Sequence, residues 1–272
     1  MTSANLIACS RMYNLTPQIR DLWDDFFRWL SKSSGIGLGI VEHAAPAPMS
    51  QLWERPDMGA VFMCGFPFSQ FPAENRPSIL AVPVVKAAWA GGRPDYASHI
   101  VVAENGSLKT AADLSVAHWG WTVRDSQSGY HAARTFLAGI LDDGASRPRT
   151  VGSLLNPSGI IAALHDGRID AGAIDAYSYA LLSMHAPDRI AGLRIMATTK
   201  SVPFPPLVAS RAVPEGTVRA LRVTLTEAHR SEAGRSALTS LAIERFERRE
   251  AADYQCLRQQ AEETDRVLAS PW

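Results

Sequence analysis

The sequence predicts a two-lobed α/β protein, and three observations carry that expectation. The chain opens strand, helix, strand, the beginning of a parallel sheet. A second series of strands and helices, from about Pro94 to Ala197, lies between two stretches rich in glycine or proline. Beyond Pro214 the chain is charged and amphipathic almost to its end. One lobe is therefore expected from residues 1–93 and 198–272, and an inserted second lobe from residues 94–197. The two crossings between them would form a hinge, with a ligand cleft between the lobes.

The elements follow in order. Asn5 to Cys9 is an apolar run that reads as a buried strand. After the loop Ser10–Asn14, Thr16-Pro17 supplies an N-cap and first-turn proline. Ile19, Leu22, Trp23, Phe26, Phe27 and Leu30 then recur at helical spacing until Gly35. Leu38–Glu42 and Gly59–Cys64 read as strands, the latter stopped by Gly65-Phe66-Pro67. Ser78–Trp89 is a further extended run, and its Pro83 marks a sheet edge or an irregularity. In the second lobe, Ser98–Ala103, Trp119–Val123, Ala171–Ile174 and Leu193–Ala197 are the expected strands. Helices are expected at Ser107–Leu114, from Ser126 to about Gly139, at Ser158–His165 and at Asp175–Met184. The C-terminal helices return to the first lobe, with Leu238, Leu241 and Phe246 among their apolar contacts.

The 272 residues are enough for two modest domains, each with its own core. Hydrophobic residues at 46% and charged residues at 20% are ordinary for a globular chain. Lys plus Arg and Asp plus Glu both number 27, and no basic run occurs, which argues against a nucleic-acid surface. Neutrality does not exclude an anionic ligand, because backbone amides and hydroxyls hold anions without net charge. Cys9, Cys64 and Cys256 show no metal or disulfide spacing, and buried free thiols are expected for the first two. Met1-Thr2-Ser3-Ala4 runs directly into the first strand without a basic, then apolar, leader. With no apolar run long enough to span a membrane, a cytoplasmic protein is expected from the sequence as written, or a periplasmic one if a leader precedes it.

The segment most suited to chemistry is Asp125-Ser126-Gln127-Ser128-Gly129-Tyr130. Small polar residues stand between a strand end and a helix start, where free amides and hydroxyls make an anion pocket. Gly129 would let a ligand approach the backbone. On local sequence alone a plain N-cap is the simpler account. Asp175 ends a strand at the side that faces ligands in open α/β sheets, and it is equally well an N-cap. Tyr13, Phe66 and Tyr96 adjoin strand-end turns and could wall the cleft. His131 and Asp175 are the only general acid or base candidates. Gly35-Ile36-Gly37-Leu38-Gly39 is no dinucleotide fingerprint, because it follows a helix and precedes a strand. No metal-ligand spacing, nucleophile elbow or phosphate-binding Gly-Lys loop occurs, so no metal and no cofactor are expected.

These residues resemble the phosphate/phosphonate-type substrate-binding proteins of ABC transporters, in the type 2 periplasmic-binding-protein superfamily. The likeness runs from Met12-Tyr13-Asn14 through Cys64-Gly65-Phe66-Pro67 and Tyr96-Ala97-Ser98. It is densest at Asp125–Tyr130, continues at Gly167–Ala176, and ends at Pro203-Phe204-Pro205-Pro206. The resemblance implies that Ser126, Gln127, Ser128 and Gly129 bind an anionic head, with Tyr13, Tyr130 and Ser158 nearby. Asp175 would meet a polar or cationic part of the ligand. Many relatives carry a histidine in the loop before Ser158 and a small hydroxyl residue at Gln127. This chain has neither, which leaves a phosphonate, a phosphate and a carboxylate as candidate ligands. The implied partners are that ligand and an ABC permease, with no nucleic acid and no membrane insertion. The alternatives are a cytoplasmic lyase-like or cofactor-precursor enzyme on the same scaffold, and a ligand-sensing effector that acts on another protein.

Overall fold

The computed structural model describes residues 6–141, 148–268 and 272. Expectations for Met1–Asn5 therefore lie outside the described residues. The chain divides into two compact units, one of Met1–Asp95 and Pro203–Tyr254, the other of Tyr96–Val202 and Gln255–Trp272.

The first unit opens with β1 (Leu6–Cys9) and α1 (Pro17–Ser34). Thr16 Oγ1 accepts the Ile19 amide at 3.2 Å, and Gly35, at φ +69°, ends the helix in the left-handed conformation. Ile19, Trp23, Phe26, Phe27 and Leu30 form the buried stripe. The chain continues through β2 (Leu38–Ile40), α2 (Met49–Trp53), β3 (Met58–Phe62), α3 (Gly65–Gln70) and β4 (Ser78–Val85). The run at Gly65-Phe66-Pro67 is thus a helix start, where a bare stop was expected.

The second unit begins at the short β5 (Asp95–Tyr96), followed by β6 (Ser98–Ala103) and β7 (Trp119–Gly120). A π-helical turn, Gln127–His131, leads into α4 (Ala132–Ala138). Then come β8 (Thr150–Val151), α5 (Pro157–His165), β9 (Ala171–Asp175), α6 (Ala176–His185), β10 (Leu193–Thr198) and β11 (Val202–Pro203). The helix expected at Ser107–Leu114 is a 3₁₀ segment, Ala111–Ser115, fixed by a capping box between Thr110 and Asp113.

The chain returns to the first unit as β12 (Leu207–Ala209), α7 (Glu215–Glu227), α8 (Glu232–Thr239) and β13 (Ile243–Glu247). It ends in α9 (Gln255–Leu268). Two expectations for this region are corrected. Ile243–Glu247 is a strand, because it pairs antiparallel with β4 through an irregularity between Ile243 and Arg245 that lets both Ile243 and Phe246 be buried. And α9 belongs to the second unit, where Arg134 on α4 bonds Asp265 at 2.6 Å and Thr135 bonds Thr264 at 2.9 Å.

The first unit's sheet runs β13-β4-β12-β3-β1-β2, with β1 parallel to both β2 and β3. β12 pairs with β4 over Ser78–Ala81 and β13 over Val82–Val85. Pro83 therefore sits where the strand is paired on one side, which tolerates its missing N–H. Trp23 and Tyr13 each meet Phe62 edge-on at 5.0 Å, joining α1 to the sheet. The second unit's sheet runs β10-β6-β9-β7-β8, with β7 parallel to β8 and β9, and β6 antiparallel to β9. Its core gathers Ile100, Val102, Leu114, Trp119, Leu137 and Ala173.

Candidate functional site

Because β7, β8 and β9 are parallel, their C-terminal ends share one edge of the second unit's sheet. Each is followed by a helix whose first turn stands at that edge. All three helices are capped alike: Ser126 Oγ accepts the Gly129 amide at 3.0 Å, Asn156 Oδ1 the Gly159 amide at 3.0 Å, and Asp175 Oδ1 the Ser178 amide at 2.7 Å. Three helix N-termini, each with partial positive charge and unshared first-turn amides, thus converge on one strip of surface. The capping readings of Ser126 and Asp175 are thereby met.

The turn at Gln127–His131 is held in π geometry by its own strand. Thr122, just beyond β7, donates its amide to the Gly129 carbonyl at 3.2 Å, diverting that carbonyl from the helix ladder. The Ser126 carbonyl takes the His131 amide at 3.1 Å. Gly129 is a glycine for a reason internal to this packing. A Cβ there would lie 2.7 Å from Thr122 Cγ2, so the close packing of Thr122 requires a glycine. Ser126 and Ser128 are half-buried and Gln127 is buried.

Tyr130 faces inward. Its ring stacks edge-on with Trp121 and Trp272 at 5.5 and 5.9 Å, and its hydroxyl accepts the Trp272 amide at 3.1 Å. Arg134, only 1% exposed, lays its guanidinium 5.2 Å from the same ring. Next to it, burial and the neighbouring Arg134 cation push the His131 imidazole down to about 4, so it is neutral at pH 7. Burial pushes the Asp175 carboxyl up to about 7, against the opposing pull of the Ser178 and Tyr177 amides.

The remaining expected residues fall in two groups. Tyr96 is buried just before β6, whose Ser98 pairs with Asp175, and Ala97 accepts the Ala176 amide at 3.0 Å, so Tyr96 belongs to the same edge. Ser158 is half-buried in the first turn of α5. Tyr13 and Phe66 belong to the first unit, after the C-terminal ends of the parallel strands β1 and β3. Tyr13 is buried among Trp23, Phe62 and Phe204, and Phe66 is half-buried. Two residues of the edge were not singled out in the sequence. Asn156 caps α5, and its signal was the Asn-Pro pair. Ser153 fastens the loop before it by donating to the Thr122 carbonyl at 2.5 Å, along with the Leu154 amide on Trp121 and the Leu155 amide on Thr122. The three cysteines form no disulfide, and among the described residues no cluster of metal-ligating side chains occurs.

Two α/β units, one of them ending its parallel strands in helix starts capped by Ser126, Asn156 and Asp175, form an architecture that hosts many functions. The family model described as an ABC transporter, phosphonate, periplasmic substrate-binding protein matches residues 13–254, and the chain belongs to that family. Among solved structures it is similar to a binding protein component of an ABC phosphonate transporter from Pseudomonas aeruginosa. That pair shares 16% identity and a TM-score of 0.77, over 97% of this chain and 88% of the other. PhnD1 from Prochlorococcus marinus in complex with methylphosphonate matches at 17% identity and TM-score 0.72, covering 98% of both chains. MatC from Rhodopseudomonas palustris with bound malate matches at 12% and 0.60, over 98% and 100% of the two chains. No curated protein sequence matches the chain. The protein is thus a solute receptor of the periplasmic substrate-binding kind. The family is one of substrate-binding transport components, and the enzymatic alternative finds no support in it. Among the described residues no helix is long and apolar enough to cross a membrane.

Proposed function

We propose that the protein receives a phosphonate, phosphate or carboxylate whose anionic head rests on the second unit's strand-end edge. The convergence of three capped helix N-termini there is the observation that supports this reading. Ser126, Gln127 and Ser128 would hold the head through hydroxyls and first-turn amides, and Gly129 closes the turn around Ser126. Ser158 and Tyr96 adjoin the same edge, Tyr130 braces the turn from behind, and Asp175 would take a polar or cationic substituent. Tyr13 and Phe66, at the corresponding strand ends of the first unit, would supply the second set of contacts. In this reading the protein works in the periplasm and passes its ligand to an ABC permease.

Thermal denaturation and calorimetric titration with methylphosphonate, inorganic phosphate and malate test the assignment. At least one of the three should raise the melting temperature in proportion to the logarithm of its concentration. Ser126→Ala combined with Ser128→Ala removes two hydroxyl donors to a charged group, together about 3 kcal/mol or more, so affinity should fall about 100-fold. Unchanged affinity in the double variant would remove this edge from the binding site. Native mass spectrometry of the purified protein would identify any ligand carried through purification.

A further inference from the structure

The first unit carries a basic recess that the solute site does not use. It is a cavity of about 350 Å³ at the β4 and β13 side of the sheet, lined by Arg76, Arg211, Arg222, Arg248 and Arg249 against the single carboxylate of Glu250. β1 and β3, which lead to Tyr13 and Phe66, contribute nothing to its lining, and the recess lies wholly within residues of the first unit.

Three of the five guanidinium groups are held in place from one side. Arg76 Nη2 donates to the Phe71 carbonyl at 2.7 Å, and its guanidinium lies 5.8 Å from the Phe68 ring. Arg222 donates to the Ile79 carbonyl through both Nε and Nη2, at 3.3 and 2.8 Å. Arg249 bonds Asp95 and the Pro94 carbonyl, and stands 3.7 Å from Asp253. These anchors use only part of each donor fork. The Nε atoms of Arg76 and Arg249 are buried without a hydrogen-bond partner, donors that a bound anion or water would satisfy. Arg211 and Arg248 stand exposed at the rim. Among the described residues Arg76, Arg211 and Arg248 form no ion pair, so the carboxylates nearby offset Arg249 and, at 3.8 Å through Glu215, Arg222.

We propose that this recess binds a compact, multiply charged oxyanion of the phosphate class, a di- or triphosphate group. Like charges gathered in one cavity repel one another unless an anion lies among them. A single carboxylate would leave most of the cations unmatched, whereas each phosphate unit accepts a bidentate guanidinium fork. Every cationic lining residue is arginine, which suits that geometry better than the point charge of lysine. The volume is that of a small-molecule pocket, and the overall neutral chain has no basic stripe to follow a polymer.

Sodium tripolyphosphate is the probe, titrated calorimetrically at low salt into wild type and into the Ser126→Ala, Ser128→Ala protein. One tripolyphosphate per chain should bind to both. Arg211→Gln with Arg248→Gln, at two exposed positions, should weaken it tenfold or more while leaving the melting temperature and methylphosphonate titration as in wild type. Arg211→Lys with Arg248→Lys keeps the charge, loses the fork, and should weaken it several-fold. Absence of binding to wild type would overturn the proposal. So would binding that disappears in the serine variant, or that is unchanged in the glutamine variant. The first proposal stands or falls separately, on the serine variant with methylphosphonate, phosphate and malate.

Discussion

The two units end their parallel strands differently. In the second, β7, β8 and β9 lead to helices capped by Ser126, Asn156 and Asp175, so the edge presents amides and hydroxyls. In the first, β1 leads past a buried tyrosine to α1, capped by Thr16, whereas α2 and α3 start at Pro48 and Cys64 without a side-chain cap. One edge carries a side-chain cap at each of its three helix starts, the other at α1 alone, with Tyr13 buried beside it. The proposed anion site rests on this contrast.

The largest blow to that contrast should come from Gly129→Ala. The new methyl group collides with Thr122, and overpacking of this kind costs about 2–3 kcal/mol. Urea denaturation should show that loss, and adding Thr122→Ala should restore part of it. Full wild-type stability in Gly129→Ala would mean that Thr122 does not shape the turn.

Asp175 gives a smaller, pH-dependent effect. Its carboxyl holds a proton to about pH 7 in the folded protein, above the ordinary value of 3.8, so the native state binds that proton more tightly than the unfolded chain. The resulting stabilisation is complete below the unfolded value and is lost as pH rises through 7. Asp175→Asn keeps an acceptor for the Ser178 amide and cannot ionise. Wild type should therefore lose about 1–3 kcal/mol relative to this variant between pH 5 and pH 8, read from urea midpoints. A difference that stays constant over that range would contradict a proton-holding Asp175. The smallest effect belongs to the first unit. Thr16→Ala removes the cap of α1 and should cost about 1 kcal/mol with no change in anion affinity.

What could be read in the sequence was what is encoded locally. Thr16-Pro17 and Gly35 bracket α1 with residues whose chemistry needs no distant partner, and Ser126 to Gly129 announced a helix start in the same way. Ile243–Glu247 was unreadable because its charges match those of the helices on either side, and only β4 decides that it is a strand. The stripe of α9 shows that the helix packs; Arg134 and Thr135, more than a hundred residues earlier, decide where. The packing of Thr122 against Gly129 was not legible, since Thr122 becomes its neighbour only when the turn folds back. The arginine recess assembles Arg76 with Arg222 and Arg249, and no local pattern announces such a cluster.

The allocation of α9 to the second unit has a consequence for the order in which the chain is made. Every residue assigned to the first unit has been synthesised once Tyr254 is added, whereas the second unit must also wait for Gln255–Trp272. Until then Arg134 has no Asp265 and Tyr130 no Trp272. Synthesis thus supplies the residues of the first unit in full while the second is still short of α9.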